Sequence, residues 1–170
     1  GRRRGLWLGS ARPRAAEGWD GALAACSPCT LEVIRGELEQ AHGGQASVLA
    51  RDLSRGSEVD AALADVRALA RPLDLLVANA GIGLHGPYLD TDAAAERDML
   101  HLNVESTVGL VRGVLPDMVA RGQGRILTVG SVGSFTPGPL MATYYATKAF
   151  VLSYSDALAA ELTGTGVSVT

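Results

Sequence analysis

Three side chains in the last third of the sequence have types and spacing suited to proton transfer at an alcohol or carbonyl oxygen. Tyr144 and Lys148 stand four residues apart, so on a helix they share one face, one turn apart. A free phenol titrates near pH ~10 and is a poor base at neutral pH, but a neighbouring ammonium favours its ionised form. Ser131 precedes Tyr144 by 13 residues and could donate a hydrogen bond to the same oxygen. Together the three side chains are predicted to polarise a carbonyl group.

Taken one at a time, these residues have simpler explanations. A serine in a glycine-rich loop is usually a turn residue, and Tyr–Lys pairs at this spacing are common on solvated helix faces. The chemical interpretation therefore depends on where the predicted strands and helices place the three residues.

Predicted strands and helices alternate from about residue 31 to the end of the sequence. The apolar spacing predicts helices over 31–42, 57–70, 92–120 and 141–162, and strands over 46–50, 73–78, 125–130 and 167–170. An irregularity is expected in the third helix near Asn103. This order implies an α/β fold, a Rossmann-like, doubly wound parallel sheet with helices on both faces, which the chain ends without completing. Such sheets bind ligands at the carboxyl ends of their strands, where Ser131 follows strand 125–130.

The first thirty residues follow neither the helical nor the strand period. Residues 5–10 resemble a poor strand and residues 20–26 a poor helix. We therefore predict two parts: an atypical segment, residues 1–30, that is either disordered or misread, and a partial Rossmann-type domain, residues 31–170.

Composition excludes several classes of partner. Eighteen acidic residues against fifteen basic ones give a net charge of -3, so no basic surface for nucleic acid is expected. No apolar run approaches the roughly 20 residues that span a bilayer, so we expect no membrane partner and a cytoplasmic protein.

The two cysteines form a lone Cys26-Ser27-Pro28-Cys29 sequence. This spacing can serve thiol redox chemistry at the start of a helix that follows a strand, but no strand of the required kind is predicted before Cys26. Two cysteines are also half of what a structural zinc site needs, so no metal site is predicted. The sequence favours two incidental thiols.

Three motifs, in order and at the ends or faces of the appropriate elements, resemble those of the short-chain dehydrogenase/reductase family. The resemblance covers about residues 31–170. Its motifs are Asn79-Ala80-Gly81 after one strand, Ser131-Val132-Gly133 after another, and Tyr144-Tyr145-Ala146-Thr147-Lys148 on a helix.

The resemblance implies an NAD(P)-dependent oxidoreductase that interconverts a ketone or aldehyde and an alcohol by hydride transfer. Tyr144, rather than Tyr145, would be the general acid/base, because only Tyr144 stands four residues before Lys148. The catalytic set would comprise Ser131, Tyr144, Lys148 and Asn103, with Asn103 supporting a proton relay to the lysine. The cofactor would meet Asp52 and Leu53 at the adenine, Asn79, Ala80 and Gly81 at the adenine ribose, and Tyr144 and Lys148 at the nicotinamide ribose.

The sequence departs from the family pattern at its beginning. The glycine-rich turn that holds the pyrophosphate is missing, since Arg12-Pro13-Arg14 follows Gly9-Ser10-Ala11. A residue that would select NAD or NADP is missing too, so the choice of cofactor stays open. One hypothesis is that residues 1–30 result from a frameshift. If no other reading frame of the upstream coding DNA contains a Thr-Gly-x3-Gly-x-Gly pattern, this hypothesis is wrong.

The resemblance also implies partners. The substrate would be a small carbonyl compound or alcohol, and the complete protein a homodimer or homotetramer.

Two alternatives remain. A catalytically inactive fragment of the family could act as a binding or assembly module through helices 92–120 and 141–162, which the missing glycine-rich turn favours. A Tyr144→Phe change would stop an enzyme and leave the oligomeric state of such a module unchanged. Thiol redox chemistry would instead be abolished by changing both cysteines to serine.

Overall fold

The alternation of strand and helix begins earlier than the sequence predicts. The computed structural model describes residues 20–42 and 45–170. Its first strand, β1, is Gly21–Ala25, and it pairs in parallel with β2, Ala46–Ala50, from Gly21 opposite Ala46 to Ala25 opposite Ala50. The helix predicted over residues 20–26 is therefore wrong, because pairing with β2 outweighs the helical preference of the alanines. The weak strand predicted over residues 5–10 lies outside the described residues.

The described residues up to Asp52 form a first compact unit around helix α1, Pro28–His42. Its core consists of Leu23 from β1 and of Leu31, Ile34 and Leu38, the apolar positions of the predicted helix. The helix begins three residues before the predicted start, since Pro28 suits a first helical position, where no N–H partner is needed.

A second compact unit, Leu53–Thr170, holds a three-stranded parallel sheet in the order β3-β4-β5. Its strands are β3, Leu75–Ala78; β4, Gly124–Thr128; and β5, Val167–Val169. Its α-helices are α2, Gly56–Ala68; α3, Ala93–Leu100; α4, Ser106–Arg121; and α5, Ala142–Glu161. Single 3-10 turns lie at Tyr88–Asp90 and Val132–Ser134. The strands and helices predicted from residue 46 onward are confirmed, with small changes at their ends.

The register of the second sheet brings two predicted functional loops to one edge. Ala78, the last residue of β3, lies opposite Thr128, the last residue of β4. The Val129 N–H donates to the Ala78 carbonyl at 3.1 Å, so the pairing continues one residue further. The segments that begin at Asn79 and Ser131 consequently leave the sheet side by side.

Helix α4 packs against this sheet and against α2. It contacts β3 and β4, and its buried residues Val111, Val114 and Met118 join Ile126 of β4 in the core. The helix ends at Gly122, whose φ of 67° is a left-handed conformation that glycine adopts without strain.

The irregularity predicted near Asn103 is confirmed. Between α3 and α4 the backbone forms one π-helical turn, His101–Glu105. Such turns widen a helix locally and are often found at functional sites. Within the described part of the chain, none of the helices has the length and apolar content needed to cross a membrane.

Candidate functional site

Three of the predicted functional side chains approach one short glycine-containing turn after β3. A Cβ atom placed on Gly81 would lie 3.2 Å from Asn103 Oδ1 and 3.6 Å from Lys148 Nζ. A Cβ atom on Gly83 would lie 3.1 Å from Tyr144 Cδ2. The absence of side chains in this turn thus lets Asn103, Tyr144 and Lys148 come close to the same backbone.

Asn103 fastens this turn to helix α5. It is 1% exposed, its Oδ1 accepts from the Ile82 N–H at 2.9 Å, and its Nδ2 donates to the Ile82 carbonyl at 2.9 Å. The same Nδ2 donates to Thr147 Oγ1 at 3.0 Å. The π-helical turn carries Asn103, so the change in helical pitch helps set the direction of this side chain.

Thr147 completes the link between Asn103 and helix α5, although no role was predicted for it. It is 1% exposed, and its hydroxyl donates to the Tyr144 carbonyl at 2.7 Å while accepting from Asn103. Thr147 therefore connects Asn103 to the backbone of the residue that carries the phenol. Its place inside the Tyr144-to-Lys148 motif was the available signal, but its burial becomes visible only in the fold.

Lys148 is a buried cation at the end of the sheet. It is 7% exposed, and its Nζ donates to the Val129 carbonyl at 2.7 Å, two residues before Ser131. Burial lowers the pKa of Lys148 below its ordinary value. The ammonium has two further hydrogens, which can bind a hydroxyl or an anionic oxygen.

The lowered pKa of Lys148 predicts a pH-dependent stability. Between the folded-state pKa and the ordinary value of 10.5, the folded protein binds fewer protons at this lysine than the unfolded chain does. The free energy of unfolding should therefore rise with pH in this alkaline window. Lys148→Met should lack this rise, which urea unfolding of both proteins at a series of pH values would measure. A difference between them that stays constant across the window would contradict the assignment.

The two neighbouring tyrosines have different surroundings. A Cβ atom on Gly138 would overlap the Tyr145 ring, so Tyr145 packs tightly against the loop that follows β4. Tyr144 instead borders Gly83 and lines an open cleft. The rings meet edge to face, with centroids 6.0 Å apart. The role of Tyr144 in contacting a substrate stays a prediction.

Ser131 has a structural role in its own loop. It begins the 3-10 turn Val132–Ser134, where its Oγ accepts from the Gly133 N–H at 3.2 Å and its own N–H donates to Ser134 Oγ at 3.1 Å. Ser131 is therefore a turn residue, as the simpler of the two interpretations predicts. This interpretation does not compete with the chemical one, because an oxygen that accepts a hydrogen bond can still donate its hydrogen.

An open cleft lies beside Tyr144. Its walls are mostly apolar and include a few polar groups. The apolar side chains include Leu84, Met99, Leu140 and Met141, and the polar ones include Thr91, Glu96 and Thr143. Glu96 belongs to no sequence motif, and its place in the cleft becomes visible only in the fold.

The residues predicted to meet the adenosine end of a cofactor fall in both units. Asn79, Ala80 and Gly81 follow β3 at the edge described above. Asp52 follows β2 in the first unit, whereas the Leu53 side chain is buried in the core of the second. Leu53 consequently has only its backbone to offer a ligand. The predicted roles of these five residues stay predictions.

The environment of the cysteines differs from the one expected. Strand β1 ends at Ala25 and α1 begins at Pro28, so the statement that no strand precedes Cys26 is wrong. Both Cys26 and Cys29 are exposed free thiols. No cluster of metal-binding side chains, with or without them, is found among the described residues.

Comparison with known proteins places the chain in one family. The family model for short chain dehydrogenases matches residues 1–170. A very-long-chain 3-oxoacyl-CoA reductase of Coprinopsis cinerea is 35% identical over 155 residues, which cover 89% of this chain and 45% of the relative. The ketoacyl reductase HetN of a Nostoc species is 31% identical over 130 residues, covering 76% and 45%. The chain thus spans about half the length of these curated relatives.

Solved structures give the same result. A short-chain dehydrogenase from Sphingobium yanoikuyae in complex with NADPH has a TM-score of 0.88 and 32% identity, covering 95% of this chain and 62% of the other. The L-sorbose reductase of Gluconobacter frateurii, complexed with NADPH and L-sorbose, has a TM-score of 0.89 and 30% identity, covering 97% and 63%. These likenesses confirm the predicted Rossmann-like fold of parallel strands with helices on both sides. The chain belongs to the short-chain dehydrogenase family.

Proposed function

We propose that this chain carries the catalytic residues of an NAD(P)-dependent oxidoreductase that interconverts a ketone or aldehyde and an alcohol. The observation that carries the proposal is the approach of Asn103, Tyr144 and Lys148 to the turn at residues 81–83. That turn lies at the carboxyl end of β3, where open α/β sheets bind their ligands.

Each side chain has a role in this mechanism. A bound nicotinamide would supply or accept the hydride at the substrate carbon. In the reducing direction, the Tyr144 phenol gives its proton to the substrate oxygen while the Ser131 hydroxyl donates a hydrogen bond to the same oxygen. The Lys148 ammonium then favours the phenolate that is left. Asn103 and Thr147 hold the backbone of Tyr144 in place.

The residues present fit the nicotinamide ribose. Lys148 has two ammonium hydrogens beyond the one bonded to Val129, and it stands at the sheet edge among the ends of β3 and β4. Structures of relatives contain NADPH, which makes it the first cofactor to test.

The apolar cleft beside Tyr144 favours a ketone with apolar substituents. Curated relatives are named as reductases of 3-oxoacyl-CoA, and the sorbose reductase shows that polar substrates also occur among structural relatives. We therefore propose a 3-oxoacyl thioester as the first substrate to test, with acetoacetyl-CoA as the probe and L-sorbose as the polar comparison.

Cofactor binding tests the proposal directly. Titration of the purified chain with NADPH and with NADH, followed by nicotinamide fluorescence, should give saturable binding of at least one. Lys148→Met should weaken that binding roughly 10- to 100-fold, because hydrogen bonds to a charged group contribute roughly 1.5–3 kcal/mol. Circular dichroism of both proteins would show that each is folded.

Binding of neither cofactor by a folded chain would instead support the inactive assembly module. The missing glycine-rich turn favours that alternative, and sedimentation of the chain with and without cofactor would test it. The same experiment gives the oligomeric state of this chain.

A further inference from the structure

Glu96 joins the cleft wall to the helix that carries Tyr144. It lies in α3, and its Oε1 accepts from Thr143 Oγ1 at 3.0 Å across the contact between α3 and α5. Thr143 is the residue immediately before Tyr144, and all three line the cleft. We propose that Glu96 is a positioning residue, which acts through Thr143 to hold the Tyr144 phenol in its reactive place. This inference rests on the proposed function.

The start of α5 needs such an outside contact. Its N-cap residue, Met141, makes no side-chain capping bond, and the first turn contains no acidic residue. The first backbone hydrogen bond of the helix runs from the Tyr145 N–H to the Met141 carbonyl, at 3.1 Å. Tyr144 therefore lies in the first turn. First turns lack part of their hydrogen bonds and carry a partial positive charge that a carboxylate stabilises. Glu96, which lies in α3, supplies the carboxylate that the first turn of α5 lacks.

The main partner of the Glu96 carboxylate is Thr143. Thr91 Oγ1 also lies 3.4 Å from Glu96 Oε1, but the same hydroxyl lies 2.7 Å from the Tyr88 carbonyl. A hydroxyl has one hydrogen to donate, and the shorter contact is the stronger bond. The short contact at Thr143 is therefore the one expected to matter for α5.

Two anchors thus hold the backbone at Tyr144. Thr147 donates to the Tyr144 carbonyl at 2.7 Å and links it to Asn103, and Glu96 holds the preceding residue through Thr143. Because the phenol must be placed within hydrogen-bond distance of a substrate oxygen, a looser first turn should slow proton transfer more than it weakens binding.

Steady-state reduction of acetoacetyl-CoA with NADPH would test the role of Glu96. Glu96→Ala and Thr143→Val should each lower kcat by about tenfold, the loss typical of one charged hydrogen bond, with KM within about twofold. Glu96→Gln keeps an acceptor oxygen and should restore most of kcat. The double variant Glu96→Ala/Thr143→Val should be no slower than either single one, because both remove the same bond. Asp98→Ala, an exposed carboxylate on the same helix, is the matched control.

Several outcomes would overturn the role. A kcat for Glu96→Ala equal to that of Asp98→Ala would do so, as would additive losses in the double variant. A raised KM at unchanged kcat would make Glu96 a substrate contact instead. If Tyr144→Phe keeps full turnover, the proposed function itself fails, whereas a slow Tyr144→Phe beside a fast Glu96→Ala rejects the positioning role alone.

Amide hydrogen exchange tests the contact between Glu96 and Thr143 without requiring turnover. It therefore applies even if the chain does not reduce acetoacetyl-CoA. Glu96→Ala should speed exchange of the amides of residues 145–147, the first in the helix whose N–H groups have backbone partners, and Asp98→Ala should not. Equal exchange in the wild type and in Glu96→Ala would overturn the inference.

Discussion

Replacing Tyr144 by phenylalanine should lower kcat by roughly 10²- to 10⁴-fold, the usual contribution of a positioned general acid or base. The change removes one oxygen and leaves the ring that borders Gly83, so the fold should be retained and the cofactor affinity should fall far less than kcat. Turnover would be measured with NADPH and acetoacetyl-CoA, and cofactor binding by nicotinamide fluorescence. The ratio of these two effects separates a chemical role of the phenol from a structural one.

Tyr145→Phe is the matched control, because it removes the same atom from the neighbouring residue. Tyr145 packs against the loop containing Gly133 and Gly138, away from the turn that Asn103 and Lys148 approach. Loss of the Tyr145 hydroxyl should leave kcat within about twofold of the wild-type value, since substitutions of this size outside a reactive site usually have small effects. A large loss at Tyr145 with little at Tyr144 would reverse the assignment of the two tyrosines.

Much of the second unit could be predicted because its signals are local. The apolar run at residues 73–78 and the helical spacing around Tyr144 and Lys148 depend only on neighbours in sequence. The irregularity near Asn103 was also predictable as a break in a long helix, and it proved to be a π-helical turn. Since the ends of parallel strands meet at one edge, the placement of Asn79 and Ser131 followed from the same pattern.

Other features depend on contacts between distant residues. Strand β1 reads Gly-Ala-Leu-Ala-Ala, which contains no β-branched residue, and it is a strand because β2 lies beside it. Glu96 and Thr143 are far apart in sequence, and neither belongs to a motif that a single chain reveals. Thr147 lay inside a motif, but only the fold shows that its hydroxyl connects Asn103 to Tyr144.

The link through Asn103 has a consequence for stability as well as for chemistry. Asn103→Ala would leave the part-buried Ile82 N–H and carbonyl, and the buried Thr147 hydroxyl, without this partner. Unsatisfied buried groups cost about 1–3 kcal/mol each, so the free energy of unfolding should fall by on the order of 3 kcal/mol. The thermal midpoint should fall by roughly 6–12 °C for a chain of this size. Turnover should fall too, whereas Tyr144→Phe should lower turnover without a comparable loss of stability.

Asn103→Asp distinguishes lost hydrogen bonds from a simple cavity. Aspartate has nearly the same volume, and an ionised carboxylate can still accept from the Ile82 N–H, but it cannot donate to the Ile82 carbonyl or to Thr147. If the donated bonds hold the turn to α5, Asn103→Asp should be at least as destabilising as Asn103→Ala, because it also buries a charge. Thermal unfolding of both variants gives the answer. An aspartate variant as stable as the wild type would mean that the volume of Asn103, and not its two donated bonds, keeps the turn at residues 81–83 in place.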